Sequence, residues 1–205
     1  MTRYDYDDAL RAVVKYGKQL YGPKFRIFEE DRAPIMKLMC WFLRDDAVAQ
    51  VEDIDLDKGI LLAGPVGCGK SAVMKILSCI CQPAWTFTIK PSPEVAHEFA
   101  EQGYKAIDRY AVKAFCLNQH PRAICFDDLG GESNIPHYGM HYNALAEILS
   151  FRYNLFVDDK VITHITTNLN STELEERYGP RLRSRMKQMF NLIAFHKTSR
   201  DKRRL

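Results

Sequence analysis

Hydrophobic residues in the first quarter of the chain recur at helical spacing. Apolar residues three or four positions apart predict an amphipathic helix over residues 7–21. The pair Gly22-Pro23 ends that helix, because glycine and proline together interrupt helical backbone. A second, more apolar helix is predicted over residues 33–48. The acidic stretch around Asp53 then forms a connector.

From residue 58 onward, short apolar runs alternate with helical stretches. Five continuous apolar runs are predicted strands: residues 60–63, 85–89, 123–126, 161–165 and 192–195. The predicted helices between them cover about residues 70–81, 93–118, 140–156 and 171–188. This alternation is typical of a mostly parallel sheet that helices cover on both faces. We therefore expect an α/β three-layer sandwich that binds ligands beyond the carboxyl ends of its strands.

A glycine-rich segment directly follows the first predicted strand. It reads Gly64-Pro65-Val66-Gly67-Cys68-Gly69-Lys70-Ser71, matches G-x-x-x-x-G-K-[ST], and leads into a predicted helix at Ala72. Glycines let the backbone curl so that successive N–H groups point at a phosphate, and the helix N-terminus adds a favourable dipole. We expect residues 64–72 to bind ATP, with Lys70 on the β- and γ-phosphates and Ser71 on Mg²⁺. Cys68 needs only to be small.

Two adjacent carboxylates end the third predicted strand. Asp127 at the strand tip is expected to hold Mg²⁺, and Asp128 is expected to polarise an attacking water as a general base. An acid pair in this position could equally cap the next helix or lie exposed. The phosphate-loop motif upstream favours the hydrolytic interpretation.

Further polar residues follow the fourth strand. Asn168 could orient the attacking water, or it could cap the helix that begins near Ser171. Arg181 and Arg185 are four residues apart and share one helical face. We expect one of them to reach a neighbouring subunit's nucleotide and stabilise charge on the γ-phosphate. The alternative is a basic helix that contacts solvent or DNA phosphate.

Charge is unevenly distributed along the chain. The net charge is only +3, yet residues 177–205 contain ten Lys and Arg residues and a single acid, Asp201. A basic segment suits the phosphates of a nucleotide or of nucleic acid, although a solvated tail is the alternative. No apolar run is long enough to span a membrane, no secretory signal is evident, and the six cysteines are scattered. We expect a cytoplasmic protein with reduced thiols and no membrane partner.

Taken in order, these motifs resemble the DnaC/IstB branch of the AAA+ ATPases, which comprises helicase loaders and transposition ATPases. The resemblance is carried by the strings GPVGCGKS, ICFDDLGGE, ILSFRY, ITTNL, TELEERYGPRLRSRM and FNLIAF, which span residues 59 to about 196 in the family's order. It implies an AAA+ P-loop fold with Lys70 and Ser71 in Walker A and the pair Asp127-Asp128 in Walker B.

The same resemblance assigns the remaining polar residues. It makes Asn168 sensor I and Arg185 the arginine finger, with Arg181 as its rival. It places a final, nucleotide-contacting sensor arginine within residues 198–203, and Arg200 is the residue chosen. Residues 1–24 become a helical extension, residues 25–57 a helical linker and residues 58–205 the P-loop core, without a full helical lid.

The expected function follows from this resemblance. It implies an ATP- and Mg²⁺-dependent DNA-replication ATPase, a helicase loader that acts on DNA as an oligomer and turns over slowly as a monomer. Single-stranded DNA is the favoured form, bound without sequence specificity, and the client is a replicative helicase or a transposase. DnaC-type loaders carry a sizeable N-terminal helicase-binding domain, whereas about 24 residues precede the linker here. An IstB-like transposition ATPase of a mobile element therefore fits equally well.

Three other interpretations account for parts of the sequence. A nucleotide-gated adaptor would bind ATP and hydrolyse it only incidentally. A small-molecule P-loop kinase would not need the pair Asp127-Asp128 or Asn168, and no substrate-lid insertion is evident. His137 and His141 are four residues apart, but no third metal ligand is evident, and the surrounding residues from Pro136 to Gly139 favour a loop.

Overall fold

A computed structural model describes residues 4–113, 116–117, 120–133, 135–137 and 140–204. The side chains of residues 112–121, 134–141 and 204 lie outside the described part, and these include the side chains of His137 and His141. The chain forms two compact units. The first comprises Met1–Leu56, Leu62–Thr86 and Asn191–Leu205, and the second comprises Asp57–Leu61 and Phe87–Phe190.

Helices and strands alternate along most of the described chain. The α-helices are α1 Tyr6–Tyr21, α2 Arg32–Leu43, α3 Asp46–Val51, α4 Lys70–Ile80, α5 Ser92–Gln102, α6 Tyr104–Asp108, α7 Ala144–Asp159 and α8 Ser171–Met189. The strands are β1 Gly59–Ala63, β2 Thr88–Pro91, β3 Cys116–Leu117, β4 His120–Pro121, β5 Ile124–Leu129, β6 Ile135–His137, β7 Met140–Tyr142, β8 Thr163–Thr167 and β9 Phe190–Ala194. None of the described helices combines the length and the apolar character that a membrane crossing requires.

Five of the described strands form one parallel sheet in the order β2-β5-β8-β1-β9. Within the second unit, Ile124 of β5 lies opposite Thr88 of β2 and Thr163 of β8. All residues of β8 are buried, as is the first half of β5. Strands buried on both faces read as continuous apolar runs. The predicted α/β class with a five-stranded parallel sheet is confirmed.

Several predicted boundaries were wrong because local contacts override the apolar pattern. Residues 83–85 form a 3₁₀ turn, in which the Trp85 N–H donates to the Gln82 carbonyl at 2.9 Å, and the strand begins only at Thr88. The helix predicted over residues 93–118 is interrupted at Gly103, whose φ of 58° and ψ of −137° end α5. The helix predicted over residues 140–156 is α7, which begins only after β7, where the Asn143 side chain caps it.

In the first unit, α1 packs against α4 and α2. The side chain of Asp5 caps the start of α1 by accepting hydrogen bonds from two backbone N–H groups. Gly17 of α1 lies against the Phe25 ring, since a Cβ added there would come within 2.1 Å of that ring. The helix of the predicted extension thus packs on the helix that follows the glycine-rich segment. The domain boundary at residue 24 stays a prediction.

In the second unit, a buried arginine joins several elements. Arg152 of α7 is 1% exposed, and its guanidinium donates to the Thr163 hydroxyl at 2.7 Å. It also donates to the carbonyls of Tyr110, Ile162 and Arg122 at 3.0, 3.0 and 3.3 Å. Burial lowers the pKa of Arg152 to about 9, which leaves the group charged at neutral pH. These oxygens replace the hydration that the guanidinium loses.

Candidate functional site

The glycine-rich segment forms a tight turn between β1 and α4 in the first unit. Gly67 and Gly69 have φ angles of 78° and 101°, in the left-handed region. A side chain at either position would strain the backbone by roughly 1–2 kcal/mol. Helix α4 begins at Lys70, immediately after Gly69. The N–H groups of its first turn therefore follow a sharply curled loop, which is the arrangement that binds phosphate.

Lys70 lies across this loop and is 6% exposed. Its Nζ donates to the carbonyls of Gly64 and Pro65 at 2.8 and 3.0 Å. Cys68 is fully buried, and its Sγ is 4.0 Å from Nζ of Lys70. Burial raises the pKa of the Cys68 thiol, which keeps it protonated, in agreement with a packing role. Ser71, in the first turn of α4, is exposed.

A lysine near the C-terminus binds the outside of the same loop. The backbone N–H of Lys202 donates to the Gly67 carbonyl at 3.0 Å, and its Nζ donates to the Cys68 carbonyl. The same Nζ forms an ion pair with the buried carboxylate of Asp31 at 2.7 Å. Sequence reasoning missed both Lys202 and Asp31. The only signal was the run of basic residues, which does not show which of them reaches the loop.

Arg200, the predicted sensor arginine, contacts the segment before α2. Its Nε donates to Glu30 Oε1 at 2.8 Å, and its guanidinium lies 4.8 Å from the centre of the Phe28 ring. Its side chain is 54% exposed. A nucleotide-contacting role for Arg200 stays a prediction, and it requires that the guanidinium exchange Glu30 for a phosphate.

In the second unit, the two carboxylates lie at an irregularity of strand β5. The register with β8 shifts between Phe126 and Leu129, which indicates a β-bulge. Asp128 has a φ of 58°, an uncommon conformation for a residue with a side chain. Bulges re-aim side chains. Asp127 and Asp128 therefore do not follow the ordinary alternation of a strand.

Thr166 of β8 holds this acid pair in place. Its hydroxyl donates to Asp127 Oδ1 at 2.5 Å and accepts the backbone N–H of Asp128 at 2.9 Å. Two residues on, Asn168 Nδ2 donates to Asp128 Oδ1 at 2.7 Å. The predicted residues Asp127, Asp128 and Asn168 are thus brought together. Sequence reasoning missed Thr166, because it is one of three threonines in β8 and nothing in the sequence distinguishes it from the other two.

The alternative interpretation of Asn168 as a helix cap does not apply. Helix α8 is capped by Asn170, whose side chain accepts the N–H groups of Thr172 and Glu173. The Glu173 carboxylate in turn accepts the Asn170 N–H at 2.7 Å, which completes a capping box. The amide of Asn168 instead contacts Asp128.

The two candidate arginines lie in the second half of α8. Gly179 has non-helical angles, φ 83° and ψ 157°, and Pro180 follows it, so the helix is broken there. Arg181 is exposed. Arg185 is partly buried, with its guanidinium 4.7 Å from the centre of the Tyr153 ring. Stacking on tyrosine holds an arginine in a defined direction while leaving its N–H groups free to donate.

The cofactor expected from the sequence is a magnesium nucleotide. Among the described residues, no three His, Cys, Asp or Glu side chains form a metal-binding group. Mg²⁺ commonly uses one or two protein oxygens and completes its shell with phosphate and water. Ser71 and Asp127 are the side chains that we expect to supply those oxygens, and their assignment stays a prediction.

Comparisons with known proteins bear on the fold. No protein-family model matches the chain, and no curated protein sequence matches it either. Among solved structures, the DnaC helicase loader aligns with a TM-score of 0.57 and 17% identity over 84% of this chain and 93% of that one. A protein described as a candidate primosome component from Streptococcus pyogenes serotype M3 aligns with a TM-score of 0.54 and 20% identity, over 84% and 85% of the two chains.

A third solved structure carries a nucleotide analogue. AMPPCP-bound DnaA from Aquifex aeolicus aligns with a TM-score of 0.54 and 16% identity, over 84% of this chain and 48% of that chain. At these identities the likeness concerns the fold. The predicted α/β fold with a five-stranded parallel sheet is shared with these solved structures, and the likeness to DnaC expected from the motifs is confirmed at the level of the fold.

The contacts of Thr166 generate the first prediction. Thr166→Val keeps the shape of the side chain but leaves the partly buried N–H of Asp128 without its acceptor. We expect the free energy of unfolding to fall by about 1–3 kcal/mol, measured by urea denaturation. Thr166→Ser should retain most of the stability, and exposed Thr172→Val should change it by about 0.5 kcal/mol or less. Equal stability of Thr166→Val and the unchanged protein would contradict the described geometry.

Proposed function

We propose that this chain is a Mg²⁺-dependent ATPase that acts in DNA replication as a DnaC-like helicase loader. The observation that carries the proposal is the loop between β1 and α4, in which left-handed glycines lead into a helix N-terminus and Lys70 lies across the turn. This arrangement has the donors and the charge that a triphosphate requires. The solved structures with the same fold include a helicase loader and a nucleotide-bound protein, which supports the proposal.

The residues of the chain have separate roles in this proposal. The loop amides and Lys70 bind the β- and γ-phosphates, and Lys70 exchanges one of its carbonyl acceptors for phosphate oxygen. Asp127 and Ser71 would hold magnesium, which neutralises charge on the phosphate oxygens when bound. Asp128 accepts the proton of the attacking water as that water forms its bond to the γ-phosphorus and the bond to the ADP oxygen breaks. Asn168, bonded to Asp128, orients the carboxylate and the water.

Oligomer formation is part of the same proposal. An arginine from α8 of one subunit stabilises the charge that develops at the nucleotide of its neighbour. The isolated monomer lacks this group, which explains the slow turnover that we expect of it. Hydrolysis then changes the affinity of the assembly for DNA or for its client protein. A replicative helicase is the proposed client, and a transposase is the alternative.

Nucleotide binding and hydrolysis are separable by two substitutions. Lys70→Ala removes the cation that contacts the phosphates, so nucleotide binding should be lost, as measured by equilibrium binding of a fluorescent ATP analogue with Mg²⁺. Asp128→Asn keeps the shape of the base without its charge, so binding should persist while turnover falls by about 100-fold or more.

The second variant also distinguishes a cycling loader from an adaptor. An adaptor should retain its cellular function with Asp128→Asn, whereas a loader should stall in the ATP-bound state.

Exposed Lys75→Ala, on the same helix as Lys70, is the control for Lys70→Ala and should bind nucleotide normally. If the unchanged protein with Mg²⁺ bound neither adenine nor guanine nucleotide at millimolar concentration, the proposal would be wrong.

The two candidate arginines of α8, Arg181 and Arg185, are distinguished by their separate alanine variants. Arg185→Ala should bind ATP within about twofold of the unchanged protein and lower turnover by about 100-fold at protein concentrations where it assembles. Arg181→Ala should have the smaller effect, because Arg181 has no comparable ring contact among the described residues to direct it. Arg183→Ala on the same half of the helix is the control. If Arg185→Ala left turnover unchanged at every protein concentration, Arg185 would not be the trans-acting group.

DNA binding is proposed to depend on exposed cations and to ignore base sequence. Two of the basic residues counted in the sequence are already paired with buried acids, Arg177 with Glu132 and Lys202 with Asp31. Exposed candidates are Lys187 of α8 in the second unit, and Lys197 and Arg203 in the first. Fewer phosphate contacts are therefore available than the residue count suggests.

We expect weak, salt-dependent binding of single-stranded DNA. With about three or four phosphate contacts per protomer, affinity should fall roughly 20- to 50-fold between 50 and 200 mM salt. Fluorescence anisotropy with labelled single strands of two unrelated sequences measures this slope. The double variant Lys187→Gln and Lys197→Gln should flatten it, and Lys15→Gln on α1 should not. Affinity that did not respond to ionic strength would contradict contact with phosphates.

A further inference from the structure

A buried carboxylate follows the acid pair in the second unit. The Glu132 side chain is 2% exposed. Its Oε2 accepts the backbone N–H of Gly130 at 2.8 Å, while its Oε1 accepts the Tyr178 hydroxyl and Arg177 Nε, the latter at 3.3 Å. An isolated buried carboxylate is strongly unfavourable. These donors are therefore required for Glu132 to occupy this position as an anion.

On one side, Glu132 is joined to the turn that carries Asp128. The Gly131 N–H donates to the Asp128 carbonyl at 2.9 Å and closes this turn. A Cβ added to Gly131 would lie 2.6 Å from Asp128 Oδ2, so the turn packs directly on the carboxylate that we propose as the general base. Asp128 also has the unfavourable φ of 58°, which persists only if its surroundings hold it. The Glu132 carboxylate accepts the N–H of Gly130, the residue before Gly131 in the same turn.

On the other side, Glu132 is joined to α8 just before the helix breaks. Arg177 and Tyr178 are the two residues that precede Gly179. Arg177 donates to the backbone carbonyl of Glu132 as well as to its carboxylate, so its guanidinium contacts both main chain and side chain. Burial, and then the charge of Glu132, raise the pKa of the Tyr178 hydroxyl, which keeps it a donor at neutral pH. The arginine-bearing half of α8 begins immediately afterwards.

We propose that Glu132 is a positioning residue that couples the Asp128 turn to the arginine-bearing half of α8. The path runs from Asp128 along its turn to Gly130, whose N–H donates to the Glu132 carboxylate. From Glu132 it continues through hydrogen bonds to Arg177 and Tyr178, beside the break at Gly179. A displacement of the Asp128 turn when nucleotide binds is transmitted to α8, so a subunit with an occupied site presents its arginines differently from an empty one. This proposal rests on the proposed function and adds a coupling between the two groups of catalytic residues.

The test is Glu132→Gln, which preserves shape but removes the charge that Arg177 faces. Nucleotide affinity should stay within about twofold of the unchanged protein, while kcat falls by about tenfold with little change in KM. Hydrogen exchange provides a readout apart from activity. In the unchanged protein, a non-hydrolysable ATP analogue with Mg²⁺ should alter the exchange rates of residues 180–189, and in Glu132→Gln this nucleotide-dependent difference should disappear. Glu175→Gln, an exposed acid on α8, should behave as the unchanged protein.

The other outcomes are distinct. If Glu132→Gln bound nucleotide normally and kept both its kcat and the exchange difference, the coupling would be refuted while the proposed ATPase stood. If the unchanged protein bound no nucleotide, both proposals would fail.

If circular dichroism showed that Glu132→Gln does not fold, Tyr178→Phe would replace it, because this variant removes one hydrogen bond and keeps the ion pair. A fall in kcat of about threefold or more at unchanged affinity would then support the coupling, and an unchanged kcat would overturn it.

Discussion

Backbone amides at a helix N-terminus attract an anion only when the chain before them turns sharply enough to leave them accessible. In this protein the turn is made by Gly67 and Gly69, which have φ angles of 78° and 101°, and α4 begins at the next residue. The turn is also fixed from outside. A Cβ on Gly64 would come within 2.8 Å of Phe195 Cβ, and Lys202 bonds to two carbonyls of the loop. The proposed binding of a triphosphate depends on this preformed curl.

The acid pair shows how two identical side chains acquire different surroundings. Asp127 accepts the Thr166 hydroxyl, whereas Asp128 adopts a left-handed φ and accepts the amide of Asn168. The bulge in β5 separates their directions. The proposed hydrolysis assigns the first carboxylate to a metal and the second to a water, and the two carboxylates have different hydrogen-bond partners. Thr166 contacts both residues, so a single hydroxyl in β8 sets their geometry.

Ion pairs with buried acids reduce the positive charge that the C-terminal segment offers to nucleic acid. Arg177 is engaged by Glu132 and Lys202 by Asp31, and Arg200 pairs with Glu30. A buried acid needs its partner to remain charged, so the first two cations serve the fold. This is why a count of basic residues overstates the expected contacts with DNA. The arginines of α8 beyond Gly179 are the basic residues whose position, rather than number, matters to the proposed function.

The amino-acid pattern was sufficient to predict the parallel α/β sheet, the glycine-rich turn and the acid pair near the end of β5. These features depend on neighbouring residues, through periodicity, turn conformation and the apolar character of buried strands. Tertiary structure alone decided that Thr166 joins Asp127 to Asp128, that Lys202 rather than Arg200 contacts the loop, and that Glu132 meets Arg177. In these contacts the partners lie 38 to 134 residues apart, and some are chosen among several like-charged candidates. No local pattern specifies such pairings, because they arise only when separate elements pack.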